Sequence, residues 1–154
     1  DQDRPSKIVV VAPDAGASKK VQDSIIRFKN TIREFETSPE IVFAQGSKNR
    51  DVSTGELTGF GCDIKDFGGL PTIVVDDINS RGGTFLGLAS VIKERNVGQL
   101  TLFTTHADGV LGITNVCGTY DHYYTTNSEG NWAEPPYLLE EITEGKLTVF
   151  DVFG

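Results

Sequence analysis

The chain has 154 residues, 38% of them hydrophobic, and a formal charge of -8. That length suits one domain with a buried core rather than two. The acidic balance argues against a general nucleic-acid binder, which needs a basic face; a local phosphate site stays open, because backbone amides supply one without net charge. No run of 18 apolar residues offers a membrane span. The opening DQDRPSK is not a signal peptide, so a cytoplasmic location without membrane or nucleic-acid partners is expected. Cys62 and Cys117 lack metal-ligand spacing and are expected as two reduced, packed thiols. The sequence has no Met and a strand begins near Lys7, a pattern that fits a missing upstream domain.

Ile8 to Ala12 is a continuous β-branched run, as in a buried strand of a parallel sheet. Pro13 to Gly16 reads as a turn. A helix is expected from about Ser18 to Phe35, with Val21, Ile25, Phe28, Ile32 and Phe35 as its apolar stripe and Ser18 as its cap. Ile41 to Ala44 forms a second strand. Residues 45 to 70 are polar and glycine-rich and fit a β-ribbon, with its turn at Thr54-Gly55 and a returning arm over Glu56 to Phe60. Thr72 to Val75 is the next strand. Helical spacing returns after Gly83 in Phe85, Leu88, Ala89 and Ile92. Leu100 to Thr105 follows as a strand, 109 to 116 as a short helix, and Tyr120 to Thr125 and Leu147 to Val152 as late strands. Between the last two, NSEGNWAEPP is rich in turn residues.

Alternating strands and helices imply a mostly parallel α/β sheet with helices on both faces. Ligands on such a sheet bind beyond the carboxyl ends of the strands. The polar features fall there: Asp14, the 48–50 segment, Asp76-Asp77, Ser80 to Thr84 and His106. Asp76 and Asp77 point to opposite sides if both continue the strand, but a turning backbone lets both face the crevice. Paired acids suit ribose hydroxyls or a hydrated divalent cation; the plainer alternative is that they cap the loop. Asn79 to Thr84 leads into a helix, and the amides of Ser80, Arg81, Gly82, Gly83 and Thr84 can curl around a phosphate at its positive end. This is neither a dinucleotide fingerprint nor a Walker P-loop.

The stretch IVVDDINSRGGT, residues 73 to 84, resembles the phosphoribosyl-pyrophosphate (PRPP) motif of the type I phosphoribosyltransferase fold. The resemblance implies that Asp76 and Asp77 lie against the ribose hydroxyls and that the loop wraps the 5′-phosphate. Arg81 stands where a small residue is usual. IVVVAPDAGASKK, residues 8 to 20, is similar to the start of the carboxyl-terminal domain of ribose-phosphate pyrophosphokinases, in Pro13, Asp14, Ala15, Gly16, Lys19 and Lys20. There the turn serves the pyrophosphate and metal side of the site; as a plain turn it needs only Asp14 as a helix cap. In SKNRDVSTGEL, Lys48 and Arg50 match that family's mobile catalytic loop, where cations offset charge on the transferred diphosphoryl group; a solvated loop is the alternative. TLFTTHADGVLG resembles the family's Ala-Thr-His segment, with His106 either at the crevice or structural. YDHYYTTNS and KLTVFDV match its two late strands.

The resemblance runs through nearly the whole chain. It implies diphosphoryl transfer from ATP to ribose 5-phosphate, giving PRPP and AMP. Asn79 to Thr84 and the two acids would hold substrate, Lys48 and Arg50 would be catalytic, and Asp14, Asp76 and Asp77 would serve Mg²⁺. ATP is the co-substrate. Such enzymes have two similar domains, so residues 1 to 154 would form the carboxyl-terminal half, needing an amino-terminal domain or a partner subunit and forming a homo-oligomer when intact. Two rivals remain. One is a nucleobase phosphoribosyltransferase, whose hood would follow Asn127 and use Trp132 or Tyr137. The other is a regulatory or assembly module that keeps the phosphate pocket.

Overall fold

The structure, a computed structural model, describes residues 4–32, 38–129 and 136–153. Its elements are β1 (Lys7–Ala12), α1 (Ala15–Thr31), β2 (Glu40–Arg50), β3 (Leu57–Cys62), β4 (Thr72–Asn79), α2 (Gly83–Lys93), β5 (Leu100–Ala107), α3 (Val110–Cys117), β6 (His122–Thr126), α4 (Pro136–Thr143) and β7 (Leu147–Phe150). The strands form one sheet in the order β3-β2-β1-β4-β5-β6-β7. Every pairing is parallel except β2 with β3.

The apolar runs behave as expected of strands covered on both faces. Val9 and Val11 of β1 join a core with α2 and α3, while Val10 and Ala12 join a second core with Ala17 and Val21 of α1. Successive residues of one strand therefore feed opposite layers. Phe85, Leu88, Ala89 and Ile92, the stripe read from spacing, are all buried on α2. Both thiols are free; Cys117 is buried, which pushes it up to about 11, whereas Cys62 is only partly buried. Among the described residues no helix is long and apolar enough to cross a membrane.

Four departures from the sequence reading stand out, beside shifts of one or two residues at the ends of β5, α3, β6 and β7. First, α1 starts at Ala15, not Ser18. Its cap is Asp14, whose Oδ1 accepts the Ala17 amide at 3.1 Å, and Ser18 instead lies inside the helix, donating to Gln45 Oε1 at 2.5 Å. The far end of the stripe is less buried than its period suggests: Phe28 is 46% exposed, and Phe35 lies outside the described residues. Second, β2 does not stop at Ala44 but runs on to Arg50, and β3 folds back along it from Gly46↔Cys62 to Arg50↔Leu57. The ribbon is present, with a positive φ at Gly55 in its turn, but Lys48 and Arg50 stand on a strand rather than a loop. Third, β4 continues through Asp76 and Asp77 to Asn79. Fourth, a helix, α4, follows the turn-rich NSEGNWAEPP tract, where no helix was read.

The topology sets the position of the site. From β1 the chain leaves by α1 toward β2, and from β4 it leaves by α2 toward β5 in the opposite direction along the sheet. The crevice beyond β1 and β4 is therefore the topological switch point, where α/β sheets bind ligands.

The ribbon is pinned to the body by one close approach. A Cβ at Gly87 of α2 would lie 2.1 Å from Phe60 Cε2 of β3. Gly87→Val is expected to lower unfolding free energy by about 1–3 kcal/mol through overpacking, measured by denaturant titration. In the Gly87→Val/Phe60→Ala double variant the combined loss should fall below the sum of the single losses; strict additivity would show that this contact does not limit the fit.

Candidate functional site

An open cleft of about 450 Å³ lies beyond the carboxyl ends of β1 and β4. Its walls are Asp14 and Lys20 from the β1–α1 junction, Lys48 and Arg50 from the ribbon, and Asp76 and Asp77 from β4. Ser80 to Thr84 closes its remaining side. Lys48 and Arg50 both line the cleft, although the β2–β3 register shifts between Asn49 and Arg50. Asp76 and Asp77 both line the cleft although β4 continues through them. Sequence-adjacent residues of a strand face opposite ways; the cleft reaches both because β1 ends at Ala12, level with the middle of β4 (Val11↔Val74), leaving the end of β4 open on that side.

The phosphate-loop candidate is braced by Asn79, Asp108, Gly112 and Asn115. Gly82 sits at φ 82°, a left-handed conformation glycine adopts without the Cβ penalty, and serves as the start of α2. The first amides of a helix have no partner within it and carry its positive end. Beneath the loop runs α3: Asn115 Nδ2 donates to the Arg81 carbonyl at 3.1 Å, and a Cβ at Gly112 would meet the Ser80 carbonyl oxygen at 2.0 Å. Asn79 is fully buried and donates to the Gly112 carbonyl at 3.1 Å. Ser80 Oγ donates to Asp108 Oδ2 at 3.4 Å. The loop is thus held from below by the start and middle of α3.

The charges are paired unequally. Lys48 Nζ lies 2.5 Å from Asp14 Oδ2, and Lys20 Nζ lies 2.6 Å from Asp77 Oδ2. Burial alone would raise the Asp14 carboxyl; Lys48 and the Ala17 amide outweigh it and hold it below its ordinary value. Lys20 holds Asp77 low in the same way, and Asp77 raises Lys20 in return. Among the described residues no cation pairs directly with Asp76, and Lys20 acts on it only at longer range. Desolvation, then the neighbouring charges of Asp77 and Asp14, push it up to about 6, against the pull of the Asp77 amide, which donates to its Oδ1 at 2.8 Å. The cleft therefore presents one acid that is reluctant to ionise beside two that are already neutralised.

Most of the residues expected at the site meet there: Asp14, Lys48, Arg50, Asp76, Asp77 and Ser80 to Thr84. Two do not line it. Asn79 lies under the loop as its support. His106 is tied to the far side, with Nδ1 2.6 Å from Ser128 Oγ and 3.6 Å from Glu129 Oε1. Trp132 and the side chain of Tyr137 lie outside the described residues. The sequence places Lys20 in the basic pair that follows the β1–α1 turn but gives it no role of its own. A usable signal existed: Lys20 sits at helical spacing with Ala17, Val21 and Ser24, all facing the same side of α1 as Asp77. Gly112 had no such signal, because a glycine inside a short helix says nothing about which loop crosses it.

Among the described residues no three acidic, histidine or cysteine side chains converge on a metal position. Asp14 is turned aside by its helix cap and by Lys48. Mg²⁺ needs only one or two carboxylates when substrate phosphates complete its shell, and the hard oxygens of Asp76 and Asp77 fit that partial role.

No family model matches the chain. It is 31% identical to a ribose-phosphate pyrophosphokinase of Corynebacterium efficiens over 96% of the chain and 40% of that protein. It is 30% identical to the ribose-phosphate pyrophosphokinase of Ureaplasma parvum over 66% of the chain and 27% of that protein. In fold it superposes on the crystal structure of phosphoribosylpyrophosphate synthetase from Mycobacterium smegmatis with a TM-score of 0.54 and 18% identity, covering 96% of this chain and 41% of the other. The chain spans between 27% and 41% of the length of these proteins. With a mostly parallel sheet, a switch-point cleft and this similarity along its length, the chain is a homologue of the ribose-phosphate pyrophosphokinases with the phosphoribosyltransferase-like α/β fold.

Proposed function

We propose that this chain supplies the ribose 5-phosphate half of a site that transfers a diphosphoryl group from ATP, giving PRPP and AMP. The observation that carries this reading is one cleft that holds the 80–84 loop, the Asp76-Asp77 pair and the Lys48/Arg50 strand together. The loop amides and the α2 start bind the 5′-phosphate. Asp76 and Asp77 accept hydrogen bonds from the ribose hydroxyls and fix the sugar's orientation. The C1 oxygen then attacks the β-phosphorus as its proton departs, and the bond from that phosphorus to the α–β bridging oxygen breaks, releasing AMP. Lys48 and Arg50 offset the charge that builds on the moving group. Asp76 and Asp77 would hold Mg²⁺, with Asp14 helping to place the metal or its waters, and the bound ion would draw charge from the phosphate oxygens. The remaining ATP contacts come from an amino-terminal domain or a partner subunit, and the intact enzyme is a homo-oligomer.

Calorimetry with ribose 5-phosphate and Mg²⁺ tests the substrate half directly. Ribose 5-phosphate is expected to bind and ribose is not; absence of any heat with ribose 5-phosphate sinks the phosphate-loop assignment. With ATP, ribose 5-phosphate and a supplied amino-terminal half, Lys48→Ala and Arg50→Ala should each lower AMP release by about 10²–10³-fold, with ribose 5-phosphate affinity changed only a few-fold. Equal losses in affinity and rate would make them binding residues instead.

Asp76 generates a prediction of opposite sign for stability and binding. Its folded value lies above its ordinary 3.8, at about 6. The folded state therefore holds this proton more tightly, and the associated stability is present at low pH and lost as pH rises from about 4 through about 6. Asp76→Asn should stabilise the ligand-free protein by about 1 kcal/mol at pH 7.5, after discounting for solvent screening at a half-exposed group, and by almost nothing at pH 4. Thermal melts at the two pH values check this. In metal-free buffer the same substitution should weaken ribose 5-phosphate binding at pH 7.5, and wild-type affinity should fall as pH drops through about 6. Inorganic phosphate, which lacks the hydroxyls, controls for titration of the ligand itself.

A further inference from the structure

The two ion pairs of the cleft are built differently. Lys48–Asp14 is enclosed, with side chains 25% and 23% exposed, and Asp14 is further fixed as the cap of α1. Lys20–Asp77 bridges α1 to β4 with side chains 72% and 49% exposed. A pair this open is weak and readily exchanged. It also occupies the wrong group for a purely structural contact, since Asp77 is one of the two acids at the ribose and metal position. A carboxylate beside Asp76 requires a nearby positive charge to stay ionised at low cost, and Lys20 supplies it when nothing else is bound. Lysine suits the task because its ammonium is a compact point charge on a flexible stem, without the planar fork that locks arginine to a carboxylate.

We propose that Lys20 is the resident counter-ion of Asp77, competing with a divalent cation for that carboxylate, so that the cleft exchanges its own ammonium for the metal as a metal–phosphate ligand arrives. The inference rests on the ribose-phosphate reading of the same cleft and makes Lys20 a positioning residue that acts through Asp77. The exchange keeps the acid pair from standing uncompensated in the empty site. It also lowers the affinity for a bare cation, so that metal is taken up chiefly with the phosphates that complete its shell. The displaced ammonium stays beside the cleft, which Lys20 lines, and there it faces an anionic ligand instead of a carboxylate.

The test is a Mn²⁺ titration without phosphate ligands, read from the loss of the free-ion electron paramagnetic resonance signal. Lys20→Gln should bind Mn²⁺ about three- to tenfold tighter than the wild type, the scale of an exposed ion pair. Lys20→Arg, which keeps the competitor, should bind no tighter than the wild type. Lys19→Gln makes the same change in net charge one residue away and should leave Mn²⁺ affinity within about twofold. The gain should vanish in Lys20→Gln/Asp77→Asn. The proposal is overturned if Lys20→Gln binds Mn²⁺ equally or more weakly, if Lys19→Gln matches its gain, if the gain survives Asp77→Asn, or if neither wild type nor Lys20→Gln takes up Mn²⁺. Metal-free calorimetry with ribose 5-phosphate reads the phosphate loop separately: its failure would remove the ribose-phosphate reading while the Mn²⁺ series still decided the competition at Asp77.

Discussion

The parallel pairing of β1 with β4 is the constraint on which the cleft depends. Val9, Val10 and Val11 stand level with Thr72, Ile73 and Val74, so β1 ends where β4 still has residues to run. Asp14 therefore arrives at the start of α1 on the same crest as Asp76 and Asp77, although 62 positions separate Asp14 from Asp76 in the chain. A slip of one residue would turn the β4 side chains to the other layer, taking the acids out of register with both cores. The register is secured by Val74, buried in one core, and by Val9 and Val11 beside it.

Around that crest the backbone is packed at distances that only glycine permits. Gly112 lets α3 pass beneath the Ser80 carbonyl, Gly46 lets β2 approach the Pro13 carbonyl, where a Cβ would come within 2.5 Å, and Gly87 receives the Phe60 ring. These three contacts brace, in turn, the 80–84 loop, the β1–α1 turn and the ribbon that carries Lys48 and Arg50. One of the two ion pairs of the site, by contrast, is largely exposed.

The electrostatics show the cost of gathering acids in one cleft. Among the described residues three acids meet near the cleft, and two of them receive a direct cation partner. Asp76 is left half-buried with its proton favoured. Such a group destabilises the empty protein near neutral pH and is relieved by whatever hydroxyl or cation it meets, which is the sense in which stability and binding oppose each other here.

The sequence by itself determined the local rules. The β-branched run at 8–12, the stripe Phe85-Leu88-Ala89-Ile92 and the Asp-Asp and Gly-Gly-Thr punctuation each follow from periods of two or 3.6 and from glycine's freedom, and together with the motif resemblance they led to the α/β class and to the family. The tertiary structure alone decided what those residues meet. Asp14 as cap and ion-pair partner, Lys48 and Arg50 on an extended strand, Asn79 as a buried strut, His106 turned to Ser128, and Lys20 on Asp77 all depend on contacts between distant segments. A side chain's neighbours along the chain set its direction within an element, but its charge partners are set by which element is laid beside it, and that is a property of the packed sheet.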